Sequence, residues 1–139
     1  MKVRHQARIS ALQALFEVDC TGHVPGVVIE RRLQETELPE AGEQFARELV
    51  LETHVHQQEL DALIERYAPE WPVDQIAIID RNVLRIAIYE ILFHEDTPIK
   101  VAINEAVELA KKFGSDSSSR FVNGVLGSLV AQEAASSKR

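Results

Sequence analysis

The run DRNVLRIAIYEILF, residues 80–93, is apolar at Val83, Leu84, Ala87, Ile88, Ile91 and Leu92, positions that occupy more than one side of a helix. A helix with so little polar surface has to be covered on several faces, so it is expected at the centre of a bundle. The rest of the chain offers the covering elements. Val3 to Asp19 carries Ile9, Leu12, Leu15, Phe16 and Val18 at a helical period, and Pro25 to Gln34 reads as a short helix behind the break at Thr21, Gly22 and Pro25. Pro39 to Arg66 reads as a long helix, broken or bent near Thr53 to His56, and Val73 to Ile79 as one or two helical turns. Thr97 and Pro98 supply an N-cap and a first-turn proline for a helix closed at Gly114, and the serines from Ser115 to Ser119 cap a last helix containing Phe121, Val122, Val125, Leu126 and Leu129. About seven helices and no strand predict an all-α, single-domain bundle. In it Leu84, Ile88, Ile91, Val101, Ala106 and Leu109 form the centre.

A chain of 139 residues has room for one such core, with residues 1–134 as the domain and 135–139 as a frayed tail. The single cysteine, Cys20, excludes an internal disulfide framework, and five scattered histidines make no zinc constellation. No apolar run approaches the roughly 18 residues of a membrane span, and MKVRHQARIS lacks the apolar stretch of a signal peptide, so a soluble cytoplasmic protein is expected.

The net charge of −7 argues against nucleic acid only until its distribution is counted. Residues 1–29 carry three basic and two acidic groups, and residues 100–139 carry six and four, so both ends are mildly basic. Residues 30–70 carry four and eleven, a net −7, and residues 71–99 carry two and five. A weakly basic face backed by an acidic one permits RNA on one side and a basic protein on the other.

Catalytic chemistry finds little support. Glu52, His54 and His56 are the nearest approach to a metal cluster, but His-x-His on a helix turns the two rings to different faces, and solvated histidines are expected. Paired carboxylates such as Asp80 with Glu90, or Glu105 with Glu108, have no glycine-rich loop or nucleophile elbow beside them. Arg81, Arg85 and Glu90 lie in the most apolar helix, so they are expected to be paired in a structural network with Glu105 or Asp80. A small enzyme using Glu52, His54 and His56 is the weakest reading; neither a catalytic residue nor a bound metal or cofactor is expected.

The stretch KKFGSDSSSRFVNG, residues 111–124, differs in kind. Around one helix-to-helix turn it gathers Lys111, Lys112 and Arg120, the aromatics Phe113 and Phe121, several hydroxyls including Ser117, and Asn123. A turn ending at a helix N-terminus presents unbonded N–H groups to an anion, cations suit phosphates, and an exposed phenyl ring stacks on an unpaired base. The same pattern also fits a capped turn whose phenylalanines are core residues, and for Phe121 both readings stand.

Residues 80–126, DRNVLRIAIYEILFHEDTPIKVAINEAVELAKKFGSDSSSRFVNGVL, closely resemble the C-terminal half of the NusB family of bacterial transcription antitermination factors. LRIAIYE, a proline, VAINEAVELAK, FG, a serine-rich turn and FVNGVL follow one another at the family spacings, and ARISALQALFEVD resembles the first helix more loosely. The resemblance implies a fold of about seven α-helices in two subdomains. It also implies RNA binding without catalysis: pairing with NusE, a protein of the small ribosomal subunit, and binding of the single-stranded boxA element of ribosomal RNA leader transcripts, so that RNA polymerase reads through terminators. RNA would touch the start of the first helix and the turn before the last, which here means Lys2, Arg4, Arg8, Lys111, Lys112, Ser117, Arg120, Phe121 and Asn123. MKVRHQAR is poorer in arginine than many family members, which makes dependence on NusE the expectation. Monomer and homodimer are both open. A protein-interaction module in ribosome or RNA assembly, without RNA specificity of its own, is the alternative.

Overall fold

A computed structural model describes residues 2–134, so the expected tail at 135–139 lies outside the described residues. The described chain has seven α-helices and no strand: α1 (Val3–Thr21), α2 (Pro25–Leu33), α3 (Glu40–Val55), α4 (Gln57–Tyr67), α5 (Ile78–Leu92), α6 (Ile99–Phe113) and α7 (Ser118–Leu129). A 3₁₀ turn, Val73–Gln75, precedes α5, and a π-helical turn, Val130–Ala134, follows α7. The all-α expectation holds, and the long helix expected between Pro39 and Arg66 is two helices that part at His56. These elements form two compact units, one through Val55 and one from His56 onward.

In the first unit α1, α2 and α3 pack pairwise around Leu12, Ile29, Phe45 and Leu49. Small side chains set the approach of α1 to α3. Ala7, Ala11 and Ala14 are buried, and a Cβ on Gly42 would meet Val3 Cγ1 at 2.7 Å. Gly22 ends α1 in the left-handed conformation at φ 75°, donating its N–H to the Val18 carbonyl at 2.8 Å.

The second unit is built around α5, of whose fifteen residues eleven are buried. Helices α4, α6 and α7 all pack on it. Leu84, Ile88, Ile91, Ala106 and Leu109 are buried as expected, but Val101 is 42% exposed. Helix α6 buries one stripe, Ala102, Ala106, Leu109 and Ala110, and Val101 stands one position out of phase with it.

The charged groups on α5 have partners that the sequence did not point to. Arg85 is held by Asp61 on α4 through two bonds, Nε to Oδ1 at 2.7 Å and Nη2 to Oδ2 at 3.0 Å. Arg81 donates to the carbonyls of Asp74 at 3.2 Å and Ile76 at 3.3 Å, and Glu90 accepts from the Thr97 hydroxyl at 2.9 Å. Thr97 thereby serves Glu90 instead of capping α6, whose N-cap is Pro98. His56 is half-buried and stacks on Phe93 with centroids 4.5 Å apart, while bonding Glu59 at 2.9 Å, so it is a packed residue and not a solvated one. At the far end, Arg66 and Tyr67 both donate to Glu133 Oε2 at 2.6 Å, which ties the π-helical turn to α4.

Candidate nucleic-acid-binding segments

The first unit presents Lys2 and Arg4 in the open, at the N-cap and the first turn of α1. The Arg4 guanidinium lies 4.3 Å from the centre of the Phe45 ring, a cation–π contact that fixes its direction. Arg8, one turn further, is only 4% exposed and lies 5.2 Å from the same ring. Phe45 is thus covered by two guanidinium groups of different accessibility. One can reach a phosphate, and the other is part of the packing.

In the second unit α6 carries Lys111 and Lys112 in its last turn, where the negative end of the helix dipole favours cations. Both are exposed. Lys111 Nζ stands 3.9 Å from Glu108, an exposed i,i+3 pair too weak to withhold the charge from a ligand. Lys112 Nζ lies 5.6 Å from the Phe113 ring.

The chain then reverses through residues 114–117 into α7. Gly114 is extended rather than left-handed, and what requires glycine here is space: a Cβ would sit 2.6 Å from Ser118 Cβ and 2.8 Å from the Ala110 carbonyl. Ser118 is buried and its Oγ accepts the Ser115 N–H at 2.9 Å, which fixes the turn from inside. Ser117 is the N-cap of α7, but its side chain makes no capping bond; the Ser118 N–H is taken by the Ser115 carbonyl at 3.1 Å, so only the remaining first-turn N–H groups are left for a ligand or water. Arg120 and Asn123, three residues apart, share the exposed side of α7.

Phe121 settles between the two readings of the sequence. It is half-buried and forms part of the wall of a cavity of about 250 Å³, which Trp71, Ile76, Asp80 and Ser117 also line. Its ring is therefore neither free on the surface nor enclosed in the core. Asp80, in the first turn of α5, is 8% exposed, and its Oδ1 is buried with no hydrogen-bond partner among the described residues. Neither Trp71 nor Asp80 was expected at this site: they lie some 40 residues from the turn in sequence, and no local pattern signals their approach. His54, on α3, is exposed, and no group of three or more His, Cys, Asp or Glu side chains among the described residues is placed to hold a metal ion.

With seven helices in two units and no sheet among the described residues, and with a cation-bearing turn beside an aromatic cavity, the chain falls in the class of small all-helical proteins. Within that class, the NusB family model matches residues 5–131. The transcription antitermination protein NusB of Roseiflexus castenholzii is 54% identical over 132 residues, covering 94% of this chain and 93% of the relative. Among solved structures, T. maritima NusB superposes with a TM-score of 0.88 at 35% identity, covering 94% of this chain and 92% of that one. A NusB in a crystal structure of antitermination factors NusB and NusE with double-stranded RNA superposes with a TM-score of 0.86 at 27% identity, covering 94% of this chain and 98% of its own. The chain belongs to the NusB family.

Proposed function

We propose that this chain is a non-catalytic, cytoplasmic transcription antitermination protein that binds boxA RNA of ribosomal RNA leader transcripts together with the ribosomal protein NusE. It then acts within the antitermination complex of RNA polymerase. The observation that carries the reading is the α6–α7 turn: exposed Lys111, Lys112 and Arg120 surround an uncapped helix N-terminus, beside the partly open ring of Phe121. That combination holds phosphate and base together, which a merely structural turn does not need. The solved NusB–NusE–RNA complex supports the partners by kinship.

In this reading the contacts divide by kind. Lys2, Arg4, Lys111, Lys112 and Arg120 meet phosphates, Ser117 and Asn123 add hydrogen bonds, and Phe121 stacks on a base. Arg8, buried against Phe45, contributes by holding Phe45 beneath Arg4. The acidic stretch 30–70, with its net charge of −7, steers a basic partner protein. A gel-shift titration with boxA-like RNA at one fixed salt concentration, with and without NusE, tests the proposal. A shift that NusE strengthens is expected, and no shift under either condition refutes it.

A further inference from the structure

Helix α5 ends in an aromatic stack that the RNA-binding reading does not use. The Phe93 ring, at the C-cap of α5, lies face to face with His56, with centroids 4.5 Å apart and planes inclined by 13°. Tyr89, one turn back on α5, stacks with both rings, 6.1 Å from Phe93 and 6.2 Å from His56. His56 is held in turn by Glu59 at 2.9 Å. Phe93 is nevertheless 40% exposed. Single exposed apolar side chains are ordinary, but a ring whose direction is set by two others is a preorganised surface.

Its surroundings are acidic. Glu95 and Asp96 follow it on the α5–α6 loop, Glu59 stands in the first turn of α4, and all three are exposed. The loop is fixed at its far end, where Thr97 donates its hydroxyl to Glu90 at 2.9 Å and its N–H to the His94 carbonyl at 3.4 Å. Helix α5 carries no basic residue in its last turn, so the negative end of its dipole adds to the same field. Between Glu90 and Glu105 the sequence holds one lysine, Lys100, and no arginine.

An aromatic face bordered by carboxylates attracts cations, through the ring quadrupole and through ion pairing at its edge. It repels phosphate, which sets Phe93 apart from Phe121, a ring bordered by Lys111, Lys112 and Arg120. Among protein cations arginine fits it better than lysine, because a planar guanidinium stacks on a ring while its edge donates to a carboxylate.

We propose that Phe93, with Glu95 and Asp96, docks an arginine-bearing segment of a second protein partner, held at the same time as RNA and NusE. Helix α5 rises about 1.5 Å per residue, which puts Phe93 about 20 Å from Asp80 and the α6–α7 turn beside it. The two surfaces are therefore separate. Only the simultaneity rests on the RNA-binding reading; the arginine site stands on the ring and its acids.

The test follows the backbone amides of the isotope-labelled full chain by NMR at one low salt concentration. The chain is titrated with a short peptide of alternating glycine and arginine, and with its lysine counterpart. The arginine peptide is expected to shift the amides of Phe93, Glu95 and Asp96 and to bind about two- to fivefold tighter than the lysine peptide, the scale of an exposed cation–π contact. Phe93→Leu, which keeps an apolar side chain, is expected to bring that ratio close to one, and Glu95→Gln combined with Asp96→Asn to weaken both peptides. Neither change is expected to alter binding of boxA-like RNA with NusE, and bound RNA and NusE are expected to leave the peptide shifts in place. The wild-type ratio needs no variant, so a poorly folding substitution cannot shield the idea. Equal binding of the two peptides, or a ratio that survives Phe93→Leu, overturns the arginine site. If NusE or RNA shifts the same amides and blocks the peptide, the surface belongs to that ligand and the second partner is overturned. If the wild type with NusE binds no RNA, the antitermination reading has failed, while the peptide ratio still decides the site at Phe93.

Discussion

Replacing Phe121 by alanine, set beside the triple replacement of Lys111, Lys112 and Arg120, separates the two kinds of contact assigned to the α6–α7 turn. A stacked base is worth about 1 to 3 kcal/mol, so Phe121→Ala should lower RNA affinity by about 5- to 150-fold. The ring bears no charge, and the wild-type-to-variant ratio should stay constant with salt. The triple variant removes three cations, each of which changes the salt slope by about 0.7 on single-stranded nucleic acid, or about two units together. Between 50 and 200 mM salt, illustrative conditions, the wild-type-to-variant affinity ratio should therefore shrink by roughly 20-fold. Because Phe121 is half-buried at a cavity wall, its removal should cost less stability than the ~3 to 5 kcal/mol of a core phenylalanine. The assay is a fluorescence-anisotropy titration at the two salt concentrations, paired with thermal melts. If the Phe121→Ala ratio changes with salt as steeply as that of the triple variant, the ring acts through the cations. If the variant melts early while its folded fraction binds normally, Phe121 is only a packing residue.

Leu84→Ala and Ile88→Ala should each lose about 2 to 5 kcal/mol in denaturant unfolding, and Val101→Ala about half a kcal/mol or less, because only Val101 is on an open face. Arg8→Ala should lower thermal stability and leave the salt slope of RNA binding almost unchanged, whereas Arg4→Ala should do the reverse; a lower slope for Arg8→Ala would show that it reaches phosphate after all. The Glu133 carboxyl lies below its ordinary value, chiefly because the Tyr67 hydroxyl donates to it and then because of Arg66. Its contribution is complete above the unfolded value of about 4.5 and disappears as pH falls through the lower folded value, so melts taken downward from pH 5 should lose less stability in Glu133→Gln than in wild type. Equal losses in both proteins would remove Glu133 from the acid response.

Local rules made much of this architecture legible. The period of apolar residues located the helical stretches, with α3 and α4 read as one broken or bent helix, because each buries a stripe against neighbours whatever those neighbours are. The buried position of α5 followed from its having so little polar surface. The break at His56 was signalled by the β-branched and histidine residues around it, though not its geometry, since stacking on Phe93 depends on a residue 37 positions away. The same limit explains Asp61 with Arg85, 24 residues apart, where the sequence offered two nearer-looking acids instead. The turn residues of the candidate site were visible as a composition cluster. The cavity was not, because Trp71 and Asp80 join Phe121 only through the packing of α5 against α7. Arg8 shows the same limit: that the ring of Phe45 on α3 lies under it, and that it is buried there, is not signalled by any local pattern in α1.

The scarcity of polar surface on α5 also governs the order in which the protein can be made. The first unit is complete when Val55 has been synthesised, and its three helices can bury one another at once. Helix α5 ends at Leu92, but α7, which covers it, ends at Leu129, 37 residues later. At ~5 to 20 residues per second the wait is roughly 2 to 7 seconds. Until α6 is complete at Phe113 the most apolar segment of the chain has only α4 beside it, and it stays partly uncovered until α7 is made, so the nascent protein is at its most aggregation-prone between two dates fixed by its own sequence. A pause in translation within α6 would lengthen that exposure, while one before Ile78 would leave it unchanged.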